Sequence, residues 1–144
     1  MGTIVVGVDG SDGSVSALRF AVEEARVRSA ELRVVNAWHV PPAVYGADWT
    51  SAGVDIDEFR KLGEKELMES VEEAGAGKAG VHVTPILREG QPADVLLEES
   101  KGAELLVVGT RGVGGFKGLL LGSVSQQVAQ HAECPVVVVP SASS

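Results

Sequence analysis

Cysteine is nearly absent from this chain: Cys134 is the only one in 144 residues. That excludes an intramolecular disulfide and a multi-cysteine zinc site, and is compatible with a reducing compartment. Aromatic residues make up 4% of the sequence, so the core has to be built from Val, Leu, Ile and Ala. Positive charge is also scarce, with 12 Lys and Arg against 20 Asp and Glu and a formal net charge of −8. Broad contact with nucleic acid or an anionic membrane demands a basic face and is disfavoured, so any bound anion has to be held locally. No apolar run approaches membrane-spanning length, and 3-TIVVGV-8 is too short for the apolar core of a leader and runs straight into Asp9. The cytoplasm is the expected compartment.

What the chain does contain is a regular alternation. Four β-branched runs, 3-TIVVGV-8, 32-LRVVNAW-38, 81-VHVTPIL-87 and 104-ELLVVG-109, are separated by helix-length segments, and 135-PVVVVP-140 adds a fifth. The expectation is a single α/β domain over residues 1–144, with 141-SASS-144 a frayed tail. Continuous apolar strands such as 136-VVVV-139 suit a parallel sheet covered on both faces. In the first helix, Val15, Leu18, Val22 and Ala25 fall on one stripe. In the second, Ile56, Phe59, Leu62, Leu67, Val71 and Ala74 outline an apolar face before the glycine stop in 74-AGAGKAG-80. A third helix runs from Pro92 to Gly102, and a fourth follows the glycine-rich stretch.

Right-handed crossovers place all strand C-termini on one edge, where open α/β sheets bind ligands. The segments to search are therefore 8-VDGSDGS-14, 36-NAWH-39, 87-LREGQP-92 and 109-GTRGVGG-115. The long segment 39-HVPPAVYGADWTSAG-53 is a loop in which Tyr45 and Trp49 are read as anchors. His39, His82 and His131 lie at no metal-ligand spacing, and Arg88 reads equally well as a solvated rim charge.

The stretch 109-GTRGVGGFKGLLLGSVSQQVAQ-130 is neither a Walker A loop nor a dinucleotide fingerprint. No glycine is followed by Lys-Ser/Thr at the required spacing, and Lys117 stands where the fingerprint needs its third glycine. It does carry the parts of an anion site, namely glycines that let amides converge and then a helix N-terminus. The spacing in 123-SVSQ-126 is that of a capping box, which predicts Ser123 as N-cap. On glycine density alone, a simple turn followed by a capped helix explains the stretch equally well.

The spacing Gly109-x2-Gly112-x9-Gly122-Ser123 matches the nucleotide-binding signature of the universal stress protein family. The resemblance extends through 4-IVVGVDGSDGSVSAL-18, 90-GQP-92, 104-ELLVVGTRG-112, 116-FKGLLLGSVSQQV-128 and 133-ECPVVVVP-140. It implies a Rossmann-like open five-stranded parallel sheet of order 3-2-1-4-5 with helices on both faces. Since every motif position is filled, it also implies ATP binding with Mg²⁺ or Mn²⁺.

Carried over residue by residue, Gly109 and Gly112 would border ribose and phosphates. Gly122 and Ser123 would hold phosphates through N–H and hydroxyl groups, with Arg111, Val113, Val124 and Ser125 as neighbours. Asp9, next to Val8 at the end of the first strand, matches the family's acidic residue near the ribose or the metal-bearing phosphates. A carboxylate repels triphosphate directly, so any metal role is indirect, through Mg-ATP. The other reading of Asp9 is that it only satisfies amides in the 9-DGSDG-13 turn. Ala37 and Trp38 correspond, to within one residue, to the family's mostly main-chain adenine contact. The resemblance also implies a homodimer paired through Val136, Val137, Val138 and Val139.

The expected function is that of a dimeric, nucleotide-dependent regulatory or stress-response protein. An alternative is a slow ATPase or an adenylate-forming enzyme of the adenine-nucleotide hydrolase-like superfamily, although no general base with an orienting partner stands out and no catalytic residue is assigned. A further alternative is a nucleotide-free interaction module.

Overall fold

The computed structural model describes residues 2–40, 55–110 and 121–141. The elements follow in the order β1 (Thr3–Gly7), α1 (Asp12–Arg28), β2 (Glu31–Trp38), α2 (Ile56–Glu73), a 3₁₀ turn (Ala76–Lys78), β3 (Val83–Glu89), α3 (Pro92–Glu99), β4 (Leu105–Gly109), α4 (Ser123–His131) and β5 (Val136–Val139). The five strands form one sheet of order β3-β2-β1-β4-β5, and every neighbouring pair is parallel. This is the expected α/β architecture. The strand bounds move by one or two residues, most visibly at β3, which starts at Val83 and runs to Glu89, and the third helix stops at Glu99, three residues before Gly102.

Both sheet faces are covered, which is why the strands read as continuous apolar runs. On one face Ile4, Val6, Val8, Leu32, Val34 and Val107 pack with Leu18, Ala21 and Val22 of α1 and Leu67 of α2. On the other, Val5, Val35, Leu106 and Val108 pack with Val95 and Leu96 of α3 and Val128 of α4. The division follows from handedness. Crossovers stepping toward β3 place their helices on one face, and those stepping toward β5 place theirs on the opposite face. Among the described residues, no helix is long and apolar enough to cross a membrane.

The Val15, Leu18, Val22 and Ala25 stripe of α1 is buried as expected. On α2 the expected face is corrected at one position, because Leu62 is 54% exposed and its neighbour Gly63 is buried. A Cβ at Gly63 would lie 3.0 Å from Trp38 Cβ and 3.2 Å from Leu87 Cδ1. The helix therefore turns its one bare position to the sheet and its leucine to solvent. The outer side of α2 carries the pairs Arg60–Asp57, Lys61–Asp57 and Lys65–Glu69, as a solvated helix face should. Residues 41–54, with Tyr45 and Trp49, and residues 142–144 of the expected tail lie outside the described residues.

Candidate functional site

The strand order reverses its direction of growth between β1 and β4. The chain leaving β1 turns to α1 on one face, while the chain leaving β4 leads to α4 on the other, so a crevice opens between the two strand ends. Val8, the residue after β1, donates its N–H to the Val35 carbonyl at 2.9 Å and is buried in the core. The next residue, Asp9, accepts the Ser11 N–H on Oδ1 at 3.0 Å and also accepts the Ser11 hydroxyl. Its own N–H donates to Ser14 Oγ at 3.2 Å. Asp9 thus organises the turn into α1, with Gly10 at φ 83° and Ser11 as the helix N-cap bonding the Ser14 N–H. The turn-making role weighed for Asp9 from sequence is present, and it fixes the carboxylate at the crevice edge.

Across the crevice, Leu106 and Thr110 donate to the Pro135 and Val139 carbonyls of the β5 side, at 2.9 and 3.0 Å. Main-chain direction alternates along a strand, so Gly109 turns its N–H and C=O toward β1. Gly109 has a packing reason to be glycine. A Cβ there would stand 3.0 Å from the Gly13 carbonyl oxygen in the first turn of α1. Arg111, Gly112 and Val113 lie outside the described residues.

The two ends of that segment meet. Gly122 donates its N–H to the Thr110 carbonyl at 2.6 Å. Ser125, 2% exposed, places its hydroxyl 2.9 Å from the Thr110 carbonyl and 3.0 Å from that of Gly122. The Ser125 hydroxyl therefore closes the base of the segment. Ser123 is not the N-cap expected from the capping-box spacing. Gly122 holds that position, without a side-chain cap bond, and Ser123 is the first helical residue. Because Gly122 is tied to Thr110, the chain enters the helix one residue early, and Ser123 is exposed at the helix start rather than spent on a cap. The N–H groups of Ser123, Val124 and Ser125 occupy the first turn, where no intrahelical acceptor is available to them. Val124 also packs partly buried against the α3–α4 side of the core.

At the end of β2, the Trp38 carbonyl accepts from Gly90 on the β3 side at 2.9 Å, while the Val35 carbonyl serves β1. By the same alternation, Ala37 directs its N–H and C=O to the β1 side, level with the Asp9 turn where β1 has already ended. The structure thus distinguishes the two neighbours left open by sequence: Ala37 has its main chain turned to the crevice, and Trp38 has its main chain turned to β3. Arg88 is taken up elsewhere, paired with Glu98 at 2.6 Å and Glu99 at 3.1 Å on α3. His39 follows β2, His82 precedes β3 and His131 ends α4, and no group of three or more His, Cys, Asp or Glu able to hold a metal ion occurs among the described residues.

Three residues that sequence reading passed over belong to this edge. Thr110 is the acceptor that closes the glycine segment. Asn36, only 3% exposed, donates through Nδ2 to the Gly63 carbonyl at 2.8 Å. Glu66, one turn further along α2, packs over Gly10, where a Cβ would meet its Cγ at 3.2 Å and its Cδ at 3.3 Å. Burial pushes the Glu66 carboxyl above its ordinary value, the Asn36 amide offsets this by hydrogen bonding, and Asp9 and Glu69 add to the rise. In an acid-rich helix Glu66 looks like any surface glutamate. The only cue was Gly63 three residues earlier, marking close approach of the helix to the sheet.

Together the fold and the crevice define an open, doubly wound α/β domain, a class of fold in which ligands bind at the switch point. The universal stress protein family model matches residues 1–140, and the chain belongs to that family. It is 37% identical to universal stress protein YxiE of Bacillus subtilis, covering 94% of this chain and 97% of that protein. It is equally identical, at 37%, to universal stress protein Rv2623 of Mycobacterium tuberculosis, covering 94% of this chain but 44% of the relative. The chain thus spans less than half the length of that longer relative.

Among solved structures, a universal stress protein in complex with cAMP superposes with a TM-score of 0.69 at 30% identity, over 98% of each chain. The Archaeoglobus fulgidus protein in complex with dAMP superposes with a TM-score of 0.73 at 26% identity, over 96% of this chain and 98% of that one.

Proposed function

We propose that this chain is an ATP-binding universal stress protein that works as a homodimer and whose regulatory output depends on nucleotide state. The observation that carries the reading is the switch-point crevice. It brings main-chain groups of Ala37 and Gly109 to the same sheet edge as Asp9 and the first-turn N–H groups of α4, in a chain too acidic to hold an anion by bulk charge. Adenine meets the main chain of Ala37 with Trp38 beside it. The ribose lies near Val8 and Asp9. The phosphates run from Gly109, Arg111, Gly112 and Val113 to Gly122, Ser123, Val124 and Ser125 at the helix start, where oriented amides favour negative charge. The donor set suits a phosphate chain rather than a metal held by protein alone. Mg²⁺ or Mn²⁺ would arrive on the triphosphate and meet Asp9 through it. The adenine nucleotides in the two superposed relatives support this reading.

The dimer rests on β5. Among the described residues only β4 pairs with it, and its four valines are half-buried. Since the Pro135 and Val139 carbonyls serve β4, alternation turns the main-chain groups of Val136 and Val138 to the open edge, ready to pair with a second copy.

Mass spectrometry of protein purified from cells, with calorimetric titration of MgATP, tests the nucleotide reading. ATP or AMP carried through purification and saturable binding are expected. Absence of both sinks it and leaves the interaction-module alternative.

A further inference from the structure

Glu66 stands in an unfavourable place for a residue with no task. Its side chain is partly withdrawn from solvent over Gly10, next in the chain to Asp9, and the charges of Asp9 and Glu69 both disfavour its ionised form. From β2 only the neutral Asn36 amide supports it, and that amide also serves the Gly63 carbonyl. A half-buried acid beside a second acid costs stability unless it receives a hydrogen bond from something that enters the site. Its position says what that would be. Asn36 adjoins Ala37, and Gly10 adjoins Asp9, so Glu66 lies between the main chain that turns toward the crevice and the carboxylate at its edge. A ligand reaching from Ala37 to Asp9 passes it with the portion that joins base to phosphate.

We infer that Glu66 is a specificity-determining residue of the crevice, its carboxylate accepting a hydrogen bond from a ribose hydroxyl of the nucleotide. This rests on the nucleotide reading above. A carboxylate is an acceptor only, and a sugar hydroxyl is the donor that an adenine nucleotide offers midway along its length. Phosphate is excluded as the partner by charge. The closely approaching Gly63 and the Asn36 bond to its carbonyl fix the height of α2 above the sheet, so they set where the carboxylate sits.

The test is calorimetric titration of the full chain and of Glu66→Gln with MgATP and with its 2′,3′-dideoxy analogue, which keeps base and phosphates but lacks both hydroxyls. Loss of one charge-assisted hydrogen bond is expected to weaken ATP about tenfold in the variant and to leave the dideoxy analogue unchanged. The discrimination between the two ligands therefore shrinks. A purely structural Glu66 would shift both ligands alike or neither, and either result overturns the assignment while leaving nucleotide binding standing. Failure of the unaltered chain to bind either ligand overturns both readings. Thermal unfolding of Glu66→Gln, expected at or above the temperature of the unaltered chain, shows that any loss is not misfolding.

Discussion

The carbonyl oxygen of Gly13 lies 3.0 Å from the point where a β-carbon of Gly109 would stand, a contact with no room to spare. This contact holds the start of α1 against the end of β4, and so sets the width of the crevice. Gly109→Ala is expected to push these backbones apart and to cost about 1–3 kcal/mol in denaturant unfolding. Gly77→Ala, where a β-carbon meets nothing within 4 Å, should leave stability nearly unchanged.

Gly122 has φ −78° and ψ 172°, ordinary extended backbone. Gly122→Ala should therefore fold normally while its methyl group crowds the approach to the first turn of α4. Ser123→Ala removes one hydroxyl from the same place. Each is expected to weaken MgATP binding, Ser123→Ala by roughly fivefold for one hydrogen bond. Unchanged calorimetric affinity in both would make the assignment of this helix start wrong.

Ser125→Ala separates closure of the segment from phosphate binding. It deletes the hydroxyl beside the Thr110 and Gly122 carbonyls, while the Gly122–Thr110 bond survives. A stability loss of about 1 kcal/mol is expected by urea titration. Hydrogen exchange at Gly122 should quicken, and unaltered exchange there would contradict the closing role.

Proline scanning of β5 tests the edge. Val138 turns its N–H away from β4, so Val138→Pro should keep the strand in the sheet and yield a monomer by light scattering. Val137 bonds toward β4, and Val137→Pro should cost about 1–3 kcal/mol for the broken ladder. A Val138→Pro protein that remains dimeric would place the interface elsewhere.

The Glu66 carboxyl ionises less readily folded than unfolded, chiefly because of burial. The folded protein therefore binds more protons than the unfolded chain above the ordinary value of 4.5, and stability falls as pH rises through the interval from there to the raised value. Glu66→Gln should be more stable than the unaltered chain at neutral pH, and the difference should close as pH drops toward 4.5. A gap that stays constant with pH would show that ionisation of Glu66 is not its source.

The strands, the burial of Val15, Leu18, Val22 and Ala25, and the glycine signature were legible because each leaves a mark in one segment: a run, a period, a spacing. Leu62 was misread because helical period alone cannot tell which of two adjacent positions faces the sheet. That choice depends on Trp38 and Leu87, which arrive from other strands. Ser123 was misread as a cap because the bond that moves the helix start comes from Thr110 across the segment. Asn36 and Glu66 carried no local signature, since their significance lies in the meeting of β2, α2 and the Asp9 turn.

The bond between Gly122 and Thr110 joins two main-chain groups, so it is indifferent to the side chains at either position, proline at 122 excepted. The clasp between the end of β4 and the start of α4 is therefore written into the path of the backbone rather than into the identity of two residues. Both positions can change character without parting the strand from the helix.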